Sequence, residues 1–313
     1  MTHPSYRETW KNGELAEKAE YALSMLDSCI VCPRLCTVDR VREQHGYCGI
    51  GRYARIASYG PHFGEERPLV GRSGSGTIFF SGCNMRCLFC QNYQISQLRH
   101  GKDVQAPELA HSMLELQDRG CHNINLVSPS HVVPQILESL LIAVEEGLSI
   151  PLVYNTGTYD RIETLELLRG VVDIYMPDAK YGNDEVAYKL SDAPGYTGIM
   201  HAALKEMHHQ VGDLATENGI ATRGMIIRHL VLPGDLAQSQ KVLRFIAEEI
   251  SRDAYVNIMD QYYPTWKARE ADLSETPYKS LLGRRITGEE YRVALEYAKK
   301  EGLHRGFPGA DLH

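Results

Sequence analysis

From Gly76 onward the chain alternates short, nearly continuous apolar runs with longer segments whose apolar residues recur every three or four positions. The runs TIFFSG (Thr77 to Gly82), NINLV (Asn123 to Val127), PLVYN (Pro151 to Asn155), VVDIYM (Val171 to Met176), GMIIRHLVL (Gly224 to Leu232) and YVNIMD (Tyr255 to Asp260) predict strands buried on both faces. Between them, APELAHSMLELQDRG sets Leu109, Met113 and Leu116 on one helical face, with Pro107 marking entry and Gly120 exit. HVVPQILESLLIAVEEG, DRIETLELLRG and DLAQSQKVLRFIAEEI read the same way. Six strand–helix units in succession imply parallel strands, because each return to the same edge needs a crossover helix. The expectation is an α/β fold, a partial (β/α)6 TIM-like barrel, for which a doubly wound open sheet is the alternative.

Residues 1–75 differ in character, with one helical start, a cysteine group and then irregular Gly-rich sequence. They read as an N-terminal extension ahead of a barrel over 76–265. Residues 266–313 read as a C-terminal helical tail, in which TGEEYRVALEYAKKEGL from Thr287 is a capped helix lying on the barrel.

Length permits one large domain with an appendage, or two domains, in 313 residues. A net charge of −7 with 23% charged residues argues against a broad nucleic-acid surface, which needs clustered Lys and Arg. No apolar window reaches about 18 residues, and the first residues lack a signal-peptide core, so the expectation is a cytoplasmic protein off the membrane.

The cysteines change the picture most. Of eight, Cys29, Cys32, Cys36 and Cys48 form one group, Cys83, Cys87 and Cys90 another, and Cys121 stands alone. In a reducing compartment such clustering points to metal or redox chemistry. The C-x3-C-x2-C loop follows directly on the first barrel strand, at the end where β/α barrels carry their chemistry. Three thiolates can hold three corners of an iron–sulfur cube. A structural zinc would want a fourth ligand, for which Cys121 is the candidate. The upstream four can close a site by themselves, as a structural zinc or an auxiliary 4Fe–4S cluster.

The CNMRCLFC loop resembles the signature of radical S-adenosylmethionine (SAM) enzymes. The longer stretch HFGEERPLVGRSGSGTIFFSGCNMRCLFCQNYQIS is similar to the pyruvate formate-lyase-activating-enzyme-like branch, as are CIVCPRLCTVDR, YNTGTYD, DIYMPDAKY and RHLVLPG. The resemblance spans nearly the whole chain. It implies a 4Fe–4S cluster on Cys83, Cys87 and Cys90, with the fourth iron left for SAM and Phe89 lying against the adenine. It implies reductive cleavage of SAM to a 5′-deoxyadenosyl radical, fed by a reductant protein such as flavodoxin or ferredoxin. A glycyl-radical enzyme would be the partner; a small molecule or another macromolecule as substrate, and a non-catalytic Fe–S or zinc protein, are the alternatives.

Activating enzymes of that branch carry Gly-Gly-Glu after the second barrel strand, where this chain has LVSPSHVVP. Ser128, Ser130 and His131 offer polar groups there for SAM, although Ser130 could equally cap the next helix. Asn155 and Thr156 could hold a ribose or the methionine carboxylate, against ordinary turn chemistry. Asp178 matches an acidic residue that binds SAM or substrate in such activases; a surface pair with Lys180 is the bland alternative. Arg228 could face either way, and His229 reads as a satisfied core histidine. Asp260, Gln261 and Tyr262, and the group His62, Glu65 and Glu66, are further candidates near the barrel mouth.

Overall fold

A computed structural model describes residues 4–269 and 278–310. All six apolar runs are strands. They are β2 (Ser75–Phe80), β4 (Ile124–Val127), β5 (Leu152–Thr156), β6 (Ile174–Pro177), β8 (Ile220–Leu230) and β9 (Tyr255–Met259). They lie side by side in that order and all are parallel, each joined to the next by helical crossovers. The crossover helix Ala106–Asp118 is fixed at its start by a Gln105–Glu108 capping box, and it buries Leu109, Met113 and Leu116 as its periodicity requires.

Three strands lie outside this set. β1 (Ala54–His62) runs antiparallel to β2 and carries the short edge strand β3 (Lys102–Val104), while β7 (Ala215–Glu217) forms a hairpin with the start of β8. The sheet thus extends into the Gly- and Pro-containing stretch upstream of residue 75. Among the described residues the one strand that pairs with β9 is β8, its other edge taking an isolated bridge from Tyr255 to Arg305, so the barrel stays open between β9 and the β1–β2 side.

Period-two alternation sorts the strand residues. Ile78, Phe80, Ile124, Leu126 and Tyr175 belong to the main core under the helices. Val153, Ile174, Met176 and Ile226 point the other way and pack with Leu69 and Leu214 on the concave floor. One step further along the same strands, this inward register brings Asn155, Asp178, Arg228 and Asn257 to the concave face.

Two short N-terminal helices, Tyr6–Lys11 and Glu14–Ser24, cover the crossover helix Val133–Glu145. Helix Gly288–Lys300, capped by Thr287 and Glu290, packs on helix Ser239–Phe245. No helix among the described residues is long and apolar enough to cross a membrane.

Candidate active site

The loop after β2 is pinned on both sides. Its backbone N–H groups at Arg86 and Leu88 donate to the carbonyls of Ser191 and Leu190, and Ala268 N–H donates back to Leu88 O. Arg86 donates to Cys83 O at 2.9 Å and to Tyr47 O, while Arg34 Nε donates to Asn84 O at 2.8 Å. Both guanidinium groups stack on Tyr47, at 3.6 Å (Arg34) and 4.2 Å (Arg86) from its ring centroid.

Each of the three thiols has its own polar partner. Ser191 Oγ donates to Cys87 Sγ at 3.1 Å, Ser96 Oγ lies 3.1 Å from Cys90 Sγ, and Met85 N–H donates to Cys83 Sγ at 3.4 Å. Burial and the neighbouring Cys87 push the Cys83 thiol up to about 12, and the same two causes raise Cys90. Left alone the Cys83 and Cys90 thiols stay protonated; a thiophilic centre binds such groups as thiolates. Phe89 is buried and meets Tyr262 edge-on at 5.6 Å, and Tyr262 OH donates to Leu282 O at 2.7 Å.

Facing this loop is a charged row on the strand ends. Asp178 accepts from Arg228 Nε at 2.7 Å on one oxygen and from Lys180 Nζ at 2.6 Å on the other. Arg228 Nη2 also donates to Asn155 Oδ1 at 2.8 Å. Burial alone would raise the Asp178 carboxyl, yet Arg228 and Lys180 together hold it below the usual carboxylate range. Lys180 reaches the loop: its charge favours the Cys90 thiolate, and Cys87 in turn raises the Lys180 ammonium. Asn155 and Asp178 therefore meet as one network with Arg228, whose inward direction the strand register decides. His229 points outward, with Nδ1 at 2.7 Å from Ala179 O and Nε2 at 2.9 Å from Ser239 Oγ, a fully partnered core histidine.

The other candidates lie as follows. Ser128 sits at the opening with a left-handed backbone (φ 59), its N–H donating to Asn155 O. Ser130 is buried, 2.9 Å from Thr156 Oγ1, which donates to Asp160 at 2.6 Å; Tyr154 OH donates to the other Asp160 oxygen at 2.8 Å. His131 is buried with Nε2 at 2.9 Å from Ser81 O, and burial drives its pKa down to about 4, so the ring is neutral. Asp260 and Gln261 are exposed. Glu66 accepts both bonds of a bidentate contact from Asn257 Nδ2, at 2.8 and 2.9 Å, and His62 Nδ1 lies 3.2 Å from Glu65. Glu65, Glu66, Tyr255, Asn257 and Phe307 line a cavity of about 700 Å³ at the open side of the barrel.

Cys121 cannot complete the three-cysteine loop. A Cβ on Gly76 would lie 3.1 Å from Cys121 Cβ, which places Cys121 at the foot of β2, whereas Cys83 follows its head. Seven residues of extended chain separate the two levels by about 20 Å.

Cys29, Cys32 and Cys48 are buried and Cys36 partly so, close enough for Cys32 to feel the charge of the other three. Burial pushes Cys32 up to about 12, and Tyr47 N–H donates to Cys36 Sγ at 3.3 Å. Among the described residues no three His, Cys, Asp or Glu side chains converge tightly enough to hold a single ion. The donor chemistry of the Cys83–Cys90 loop, three thiols with N–H or O–H partners and no fourth protein ligand, fits a cluster with one open corner.

The comparisons with known proteins agree with this geometry. The family model described as the radical SAM superfamily matches residues 77–246, which spans all six parallel strands except β9 and the first two residues of β2. An uncharacterised protein of Methanocaldococcus jannaschii is 35% identical over 91% of this chain and 78% of its own length. The pyruvate formate-lyase-activating enzyme of Clostridium pasteurianum is 27% identical over 77% of this chain and 97% of its own. A radical SAM methyltransferase from Sphaerobacter thermophilus shares the fold, with a TM-score of 0.50 at 15% identity over 75% of this chain and 67% of its own. A three-thiol loop at the head of the first parallel strand and a family match across the barrel lead to one assignment: the chain belongs to the radical SAM superfamily and is similar to its pyruvate formate-lyase-activating branch.

Proposed function

We propose that this radical SAM enzyme abstracts hydrogen from a glycyl residue of a partner protein, and so activates a glycyl-radical enzyme. The observation that carries the reading is the pairing of the three-thiol loop with the Asn155–Arg228–Asp178–Lys180 row at the strand ends. A 4Fe–4S cluster with SAM, bound at Cys83, Cys87 and Cys90, would supply a 5′-deoxyadenosyl radical once a reductant of the flavodoxin or ferredoxin class delivers an electron.

The chain's own residues bind and orient. Ser191 and the Met85 amide direct their hydrogens at Cys87 and Cys83, and the Ser96 hydroxyl sits against Cys90. Asp178, held ionised between Arg228 and Lys180, leaves this row one positive charge in excess, which suits the carboxylate of SAM, and Ser128 sits at the same opening through its N–H bond to Asn155 O. Phe89 and Tyr262 close the apolar wall for the adenine and keep water out. The cavity beside Glu66 and Asn257 gives a substrate segment a side entrance. Val-Ser-Pro-Ser in place of Gly-Gly-Glu supports a second reading, a small-molecule or different macromolecular substrate. At the N-terminal end we propose that Cys29, Cys32, Cys36 and Cys48, which lie apart here, would draw together around a further centre, zinc or a second cluster.

The test is anaerobic reconstitution and reduction with SAM. Wild-type protein forms 5′-deoxyadenosine and the Cys87→Ala variant forms none; equal behaviour of the two sinks the radical reading. A glycyl-radical doublet in electron paramagnetic resonance on mixing with such an enzyme supports the partner. Turnover of SAM with no doublet on mixing favours the second reading.

A further inference from the structure

Arg40 is only 1% exposed, yet among the described residues no carboxylate pairs with it. Its Nε donates to Gly51 O at 3.0 Å and its Nη1 to His131 O at 2.8 Å. Nη1 also lies 3.8 Å from Cys29 Sγ, and Nη2 has no partner at all. A buried cation without a counter-charge is strongly disfavoured, so something in this pocket must be negative when the protein is complete. The neighbours that can become so are the thiols of Cys29 and Cys48; neutral His131 contributes only its carbonyl.

We propose that Arg40 is the counter-cation of a tetrathiolate metal centre on Cys29, Cys32, Cys36 and Cys48, and that through it this centre braces the radical loop. The inference rests on the four-thiol reading given above. Four thiolates around a Zn²⁺ ion or a [4Fe–4S]²⁺ core leave a formal charge of −2 (four negative, two positive), so either centre meets the guanidinium.

The bracing follows from the bonds on Arg40's far side. The His131 residue whose carbonyl it holds places its ring 2.9 Å from Ser81 O, two residues before Cys83. Cys48 O also lies 2.8 Å from where a Gly82 Cβ would stand, so the backbones of the two cysteine groups touch directly. Tyr47, next to Cys48, is the platform on which Arg86 of the loop stacks. Arg40 is thus a positioning residue that acts through the centre and through His131.

The test uses full-length, anaerobically purified protein with Cys83→Ala, Cys87→Ala and Cys90→Ala in place, so that all bound metal belongs to the upstream site. Zinc, iron and sulfide are counted per chain, and metal release to a chelator is timed. Arg40→Met, close in size and uncharged, should release metal at least about tenfold faster, as loss of a supporting contact to metal ligands does. Arg40→Lys should restore most of the retention, which a purely steric role of the side chain would not produce.

In the otherwise native chain, Arg40→Met should also lower iron retention at Cys83, Cys87 and Cys90. Arg40→Met that holds its metal as long as the parent overturns the charge role. Cys48→Ser that keeps the upstream metal overturns the four-thiol reading beneath it, which separates the two failures. One zinc per chain identifies an ion and four irons with sulfide a cluster, and either one, released faster by Arg40→Met, supports the proposal.

Discussion

Replacing Asp178 with Asn removes the negative charge that bonds both Lys180 and Arg228. Lys180 Nζ and Arg228 Nε lie 2.6 and 2.7 Å from its two oxygens, and the three side chains are between 17% and 20% exposed. That degree of burial sets the group apart from exposed ion pairs, which contribute at most about 1 kcal/mol. Removing one partner of a buried pair costs about 3–5 kcal/mol, and the residual solvent contact here favours the lower figure, about 3 kcal/mol.

A double-mutant cycle reads this directly in anaerobic urea unfolding. Asp178→Asn and Arg228→Met should each be destabilising, and the double variant should fall short of their sum by about 1–2 kcal/mol. The pH dependence has a definite sign. Asp178 has its folded-state pKa lowered, so its stabilisation is complete above the ordinary carboxylate pKa of about 4 and is lost as acid protonates it below that. The stability gap between wild type and Asp178→Asn should therefore be full at neutral pH and close below about pH 4. Strict additivity in the cycle, or a gap that persists unchanged at pH 3, would refute the coupling.

Two further expectations follow from the loop's supports. Gly82 has φ 79, and an added Cβ would stand 2.8 Å from both Cys48 O and Ile50 Cγ1. Gly82→Ala should cost about 2 kcal/mol or more and displace Cys83, seen as lowered iron content beside a lowered melting temperature; unchanged iron would show that the contact yields freely. Buried His131 titrates near 4 against 6.5 unfolded, so the unfolded chain takes up a proton first and stability falls as pH drops from about 6.5 to 4, by about 3 kcal/mol in all. His131→Gln, followed by denaturation across that range, should lose this slope, and an unaltered slope would assign it to other groups.

What could be read from the sequence divides along physical lines. The six parallel strands were legible because burial on both faces demands unbroken apolar runs, and runs such as GMIIRHLVL carry that demand in a few adjacent letters. The thiol loop was legible because its three cysteines fall within eight residues. β1 was not, because the stretch SYGPH is half exposed, with Gly and Pro at its end, and reaches β2 through a connection that holds the short helix Arg67–Val70, so no local pattern fixes its register. The helices Asp184–Ser191 and Tyr196–Val211 lengthen the crossover after β6 in a stretch whose polar and apolar residues alternate without a strong signal. Arg228 could be placed on a strand but not on a face, since a shift of one residue reverses every side chain. Its partnership with Asn155 and Asp178 joins residues far apart in sequence, and three strands must align before it exists.

Arg40 is the harder case, because in TVDRVREQHG it looks like one of several solvated charges. Arg42, two positions on, is exposed in that ordinary way, whereas Arg40 is enclosed by Gly51, His131 and Cys29. The distinction is entirely tertiary, and it bears on how the two cysteine groups work together. A loop that held a cluster by three thiols, with one corner left for SAM, would need rigidity from outside the coordination sphere. Here Arg86 and Arg34 clasp Tyr47, Gly82 rests on Cys48, and Arg40 joins the upstream thiols to His131 and Ser81. If those contacts set the loop, loss of metal at the upstream site should weaken retention at Cys83, Cys87 and Cys90, while the reverse loss should leave the upstream metal in place. That asymmetry follows from the proposal, in which four upstream thiols would complete their own site and the downstream three would not.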